Sequence, residues 1–129
     1  MPGKSLAQKM FIRDNFTVLL MNAPRGYTGT LGTLPEGARI LTKTVKPVDV
    51  IQVFATSKAE MIDLLRKAKP LLKKKGLLWA SYPKAGQLGT DLKREVVWEC
   101  AQVVGMETVA QIAVDDVWSA LRLKTERNE

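Results

Sequence analysis

The chain has 129 residues, 46% hydrophobic and 26% charged, values ordinary for a folded domain rather than a disordered one. A chain of that length supports one core that buries roughly two-thirds of its unfolded surface; its apolar runs fall far short of the ~20 residues that cross a bilayer. With no histidine and one cysteine, Cys100, it excludes intramolecular disulfides, Cys/His zinc sites and a histidine general base.

Leu6, Met10 and Phe11 predict a short helix. The preceding residues, Met1 to Ser5, contain no secretory apolar region, so a cytoplasmic protein is expected. Thr17-Val18-Leu19-Leu20-Met21 is a compact apolar run that predicts a buried strand stopping at Asn22-Ala23-Pro24. From Tyr27 to Gly37, three glycines and Pro35 leave room for no more than a helical turn. Arg39 to Thr42 predicts a second strand, broken at Lys46-Pro47.

Asp49 to Ala55 is apolar on both faces apart from Gln52, as expected of a central parallel strand covered by helices. Ser57-Lys58-Ala59-Glu60 predicts a capping box. The helix it opens carries Met61, Leu64, Leu65, Ala68, Leu71 and Leu72 on one face, with Pro70 kinking its last turn. Lys73-Lys74-Lys75 would complement the negative helix end, and Gly76 would close it. Leu77 to Tyr82 is the next strand. Thr90-Asp91 caps a helix that buries Leu92, Val96, Cys100 and Val103 and stops at Gly105. Thr108–Val114 and Trp118–Leu123, separated by Asp115-Asp116-Val117, must pair antiparallel. The fold class is therefore α/β: a single three-layer Rossmann-like domain over 1–129, with a mostly parallel sheet of about six strands and an antiparallel last strand. Residues 1–4 and 125–129 are expected to be flexible.

Leu19-Leu20-Met21-Asn22-Ala23-Pro24-Arg25-Gly26-Tyr27, together with Gly76-Leu77-Leu78-Trp79-Ala80-Ser81-Tyr82-Pro83-Lys84 and Trp118-Ser119-Ala120-Leu121, resembles an uncharacterised bacterial family of small domains. That resemblance implies an architecture and no activity. More distantly, the element order is similar to the carboxy-terminal half of the class I S-adenosylmethionine-dependent methyltransferase fold. Those enzymes carry a glycine-rich turn after their first strand and usually an acidic residue after their second, to hold the ribose. Here Asn22-Ala23-Pro24-Arg25 and Thr42-Lys43 stand in those places, which disfavours S-adenosylmethionine, and no other cofactor or metal is predicted.

Ligands of open α/β sheets bind beyond the carboxyl ends of the strands. The loops there offer Asn22, Arg25, Tyr27, Ser57, Ser81, Lys84, Asp115 and Trp118 as a rim site for a small anion or nucleotide-like ligand. The alternative is that these residues serve turns and core. The positive charge is concentrated in Arg66, Lys67, Lys69, Lys73, Lys74 and Lys75, which leave 14 basic residues against 13 acidic ones elsewhere. This patch suggests nucleic acid as a partner, although a solvated helix face explains it more simply. Trp98, on the flank of its helix, is either part of an association surface or a large ring capping the helix-sheet core. The expected function is a non-enzymatic binding or regulatory module for a small anionic ligand or a protein partner. A divergent methyltransferase-like enzyme using Asn22, Ser81, Tyr82 and Lys84 stands second, and nucleic-acid binding third.

Overall fold

In the computed structural model, which describes residues 5–84 and 86–125, six strands form one sheet. The expected flexibility of the termini falls outside those residues, except for Thr125, which ends the last strand. The chain runs α1 (Leu6–Lys9), β1 (Thr17–Met21), α2 (Tyr27–Leu31), β2 (Arg39–Leu41), β3 (Val48–Phe54), α3 (Lys58–Ala68), β4 (Leu72–Pro83), α4 (Arg94–Val103), β5 (Met106–Ala113) and β6 (Trp118–Thr125). The sheet order is β2-β1-β3-β4-β6-β5. The first four strands in that order are mutually parallel, and β6 is antiparallel to both β4 and β5. The last strand of the chain thus lies inside the sheet, and β5 forms the edge.

Both faces of the sheet are covered, which is why β3 is apolar on both sides. On one face, Met61, Leu65 and Ala68 of α3 and Val97, Cys100 and Ala101 of α4 pack on Ile51, Val53, Leu78 and Leu121. On the other, α1 and α2 bring Met10, Tyr27 and Leu31 onto Val50, Phe54, Trp79 and Trp118. A reciprocal capping box fixes the start of α1: Ser5 Oγ accepts from the Gln8 amide and Gln8 Oε1 from the Ser5 amide.

Three local expectations are corrected. At α3, Ser57 Oγ accepts from the Glu60 amide, but the Glu60 carboxylate reaches back to the Thr56 amide at 2.8 Å rather than to that of Ser57. Second, α3 ends at Ala68, where a 3-10 turn over Lys69–Leu71 containing Pro70 takes the chain directly into β4. Proline removes a donor and clashes with the preceding turn, so Leu72 to Lys75 form the start of a strand and not a helix end. Third, α4 begins at Arg94, after Thr90 has bonded the Leu92 amide in a turn. The later start shifts the buried stripe to Val97, Cys100, Ala101 and Val104, leaving Val96 half-buried and Val103 exposed.

Candidate functional site

The strand order reverses between β1 and β3, since β2 lies on one side of β1 and β3 to β6 on the other. In open α/β sheets the carboxyl ends at such a switch point frame the ligand crevice. Here Asn22 stands at that place. It follows β1 in the left-handed region, with φ 65°. Its Nδ2 donates to the Phe54 carbonyl at 2.7 Å and lies 3.4 Å from Glu60 Oε2. A side-chain bridge therefore joins the tips of the two strands between which a crevice would open.

Beneath the bridge the space is filled. Gly26, at φ 77°, turns the chain into α2 and drives Tyr27 inward. The ring meets Phe54 edge-on, with centroids 4.6 Å apart, and Phe54 in turn meets Trp118 at 5.1 Å. The Tyr27 hydroxyl donates to Gln52 Oε1 at 2.6 Å, and Gln52 Nε2 donates to Ser81 Oγ at 2.8 Å. This three-residue chain is buried between β3, β4 and α2. Burial drives the Tyr27 pKa far above its ordinary value, against the Gln52 hydrogen bond and with some help from Asp115.

The eight rim candidates therefore separate. Tyr27, Ser81 and Trp118 are buried in the core, where the two hydroxyl-bearing side chains bond Gln52. Ser57 caps α3. Asp115 Oδ1 accepts from the amides of Val117 and Trp118, both at 2.8 Å, and shapes the β5–β6 turn. Asn22 bridges strands. Arg25 is exposed, and Lys84 is half-buried beside a cavity of about 470 Å³ between α4 and the β5–β6 side of the sheet.

That cavity also receives Tyr82, Arg94, Glu95 and Gln111. Gln111 Nε2 donates to the Tyr82 hydroxyl at 3.2 Å. Burial raises the Tyr82 pKa, with Arg94 opposing and Glu95 adding to the shift, so at neutral pH the phenol is a hydrogen-bonding group and not a base. Cys100 is buried in the helix-sheet core, its thiol pKa raised by burial despite Lys58. It is a small apolar filler, as its surroundings in the sequence imply.

The basic run disperses. Lys67 pairs with Asp63 at 3.0 Å along α3, and Lys69 Nζ donates to the Val104 carbonyl at 2.6 Å. Arg66 is exposed on α3. Lys73, Lys74 and Lys75 instead border a second cavity, of about 480 Å³, at the amino-terminal ends of β3 and β4. Two residues with no prominence in the sequence, Arg13 and Arg122, join them there. Strand register places Arg122, which lies opposite Trp79 on β4, while Arg13 comes from the segment between α1 and β1.

The layered architecture has counterparts among the proteins to which the chain is similar. It belongs to the DUF3052 family, a protein family of unknown function, whose model matches residues 37–127. No curated protein matches it in sequence. Among solved structures it is similar to ribosomal protein L11 methylase from Lactobacillus delbrueckii subsp. bulgaricus, at a TM-score of 0.61 and 8% identity over 93% of this chain and 74% of that one. A SAM-dependent methyltransferase from Aquifex aeolicus aligns at 0.59 and 15% identity, over 90% of this chain and 85% of the other. A DhpI–SAH complex aligns at 0.64 and 11% identity, over 95% and 83%. The fold is thus methyltransferase-like. Among the described residues no helix is long and apolar enough to cross a membrane.

Proposed function

We propose that the chain is a non-catalytic binding module on a methyltransferase-like scaffold, with the cofactor crevice closed from within. The observation that carries this reading is the Asn22 bridge to the Phe54 carbonyl across the switch point. A glycine-rich turn lets backbone approach a cofactor closely; at this turn a side chain occupies the approach and bonds the neighbouring strand. Tyr27 and Phe54 fill the interior below. Thr42 and Lys43 follow β2, so no carboxylate stands ready for a ribose. This residue set does not fit S-adenosylmethionine. Recognition of an anion at the same rim would fall to Arg25 and Lys84, because Tyr27, Ser81 and Trp118 are buried.

Calorimetric titration with S-adenosylmethionine and S-adenosylhomocysteine tests the reading. The expected result is no saturable heat; a Kd tighter than about 0.1 mM for either would overturn it. A second reading, a divergent transferase, draws on the cavity where Tyr82, Lys84 and Arg94 meet near the end of β4. Under that reading the same titration gives a saturable signal.

A further inference from the structure

We propose that the cleft at the amino-terminal ends of β3 and β4 is a phosphate-binding site, with Arg13, Lys74, Lys75 and Arg122 as its anion-contacting groups. It lies at the opposite end of the sheet from the switch point, so it is a separate site from any methyltransferase-type crevice and does not depend on that crevice being closed.

Charge is the first argument. Asp49 is the acidic residue on the cleft wall, and it is already engaged: Oδ2 accepts from the Thr17 amide at 2.8 Å and Oδ1 pairs with Lys73 at 3.1 Å. Among the described residues, Arg13, Lys74, Lys75 and Arg122 have no carboxylate within ion-pairing distance. Unneutralised cations around a concave surface focus a positive field on it. A volume of about 480 Å³ falls within the range of small-ligand sites.

Backbone conformation is the second. The β3–β4 ladder is in register at Val48 with Leu72 and again at Val50 with Leu77, so two steps on β3 face five on β4. The extra residues of β4 bulge outward and carry the lysines with them. Lys75 takes φ 67°, and Phe11, also on the cleft wall, takes φ 61°. Both conformations are unfavourable for residues with large side chains. Gly76 makes the bulge possible, since a Cβ there would lie 2.8 Å from the Lys73 carbonyl oxygen and from Leu72 Cδ1. A merely solvated charged surface requires neither an interrupted ladder nor left-handed side-chain-bearing residues. Bulges and such conformations gather where a side chain has been re-aimed for use.

Arg122 supplies the third. Its guanidinium carbon lies 5.4 Å from the centroid of the Phe11 ring, which fixes the group in the cleft wall. Its buried Nε finds no acceptor in the protein. A planar guanidinium held against an aromatic face offers its outer N–H groups to two oxygens of a tetrahedral phosphate, the bidentate geometry by which arginine recognises phosphate.

The shared ligand chemistry is a run of phosphates, from a free phosphorylated small molecule or from the backbone of a single-stranded nucleic acid. The full chain is titrated with sodium tripolyphosphate and, separately, with a fluorescent oligothymidylate, at low and at raised salt. Both the Lys74→Gln/Lys75→Gln variant and Lys75→Gly are expected to weaken binding about tenfold, and raising salt fourfold to weaken oligothymidylate binding about fifty-fold, as four phosphate contacts require. Lys75→Gly is the discriminating variant: glycine suits the left-handed backbone, so the protein should melt no lower than the parent while losing affinity. Arg66→Gln/Lys67→Gln, outside the cleft, should leave affinity within about twofold of the parent, against the tenfold loss expected in the cleft. Tripolyphosphate binding with matched losses identifies a free phosphorylated ligand as the source. Oligonucleotide binding that tripolyphosphate displaces only at large excess identifies a strand. Failure of both probes to bind at low salt, or equal weakening by the α3 variant, overturns the proposal.

Discussion

Replacing Gln52 by leucine tests whether the polar chain under the closed crevice is a structural element. Gln52 is fully buried on β3 and is the acceptor for the Tyr27 hydroxyl and the donor to Ser81 Oγ. Leucine is similar in size, so little of the effect should come from a cavity. What the substitution removes is one partner from each of two buried hydroxyls. Each orphaned group costs about 1–3 kcal/mol. Met10 Sδ, 3.9 Å from the Tyr27 hydroxyl, is a weak acceptor that softens the Tyr27 share. The expected loss is therefore about 2–4 kcal/mol, and for a chain of this size about 10 °C in Tm. Urea unfolding followed by circular dichroism measures it. Combining Gln52→Leu with Tyr27→Phe and Ser81→Ala should recover most of that loss, because an entirely apolar set leaves nothing unsatisfied. A single variant destabilised by less than about 0.5 kcal/mol, or a triple variant no better than the single, would refute the reasoning.

Alkaline pH should destabilise the fold through the same burial. Cys100, Tyr27 and Tyr82 all have raised folded-state pKa values. The unfolded chain then ionises first, and stability that is complete below about pH 8 falls as pH rises through the unfolded thiol and phenol values, near 8.5 and 10. In Tyr27→Phe the decline above about pH 10 should be shallower, as read from denaturation midpoints across pH. Asn22→Ala loses the bridge and keeps an unfavourable φ, for about 1–2 kcal/mol, whereas Asn22→Gly loses the bridge alone and should melt higher than the alanine variant. Gly76→Ala should cost about 1–3 kcal/mol, because its Cβ would lie 2.8 Å from the Lys73 carbonyl oxygen, so that backbone and not only a flexible side chain must shift. Trp98 is 49% exposed beside Arg94, Glu95 and Thr108. Trp98→Ser should change stability by less than about 1 kcal/mol, and if Trp98 mediates self-association the variant should sediment as a smaller species than the parent.

Much of the fold could be read from residue pattern because strands buried on both faces leave an unambiguous trace. Thr17–Met21 is the observed β1, and the run around Asp49 to Ala55 differs from β3 by one residue at each end. The short Asp115-Asp116-Val117 link required an antiparallel pair, and β5 and β6 form one. Sheet order was not legible, because nothing local states that β6 inserts between β4 and β5; that placement depends on which strand edge remains unpaired after β4 forms. The errors cluster at helix ends. Leu71 and Leu72 continue the α3 period, and three lysines suit a helix terminus, so local pattern favoured a longer helix. Pro70 and the free edge of β3 outweighed it, since Leu72 pairs with Val48 as soon as the helix stops.

The candidate sites were less legible than the fold for a related reason. Tyrosine and tryptophan near a strand end serve equally well as ligand contacts or as core, and sequence position does not separate the two. One sign did point inward: Gln52 interrupts an otherwise apolar central strand, and a polar group in that position must find buried partners. Tyr27 and Ser81 are those partners, on residues that the sequence placed at the rim. The basic cleft left weaker traces. Arg13 and Arg122 are 109 positions apart in the chain; the β4–β6 register brings Arg122 beside the lysine bulge, and the segment between α1 and β1 brings Arg13. The lysine cluster of the sequence is divided in the structure: Lys67 and Lys69 bond partners on the helical layer, while Lys73, Lys74 and Lys75 border the cleft with Arg13 and Arg122. Charge density along a chain predicts a binding face only when secondary structure keeps the charges together, and here a single proline divides them.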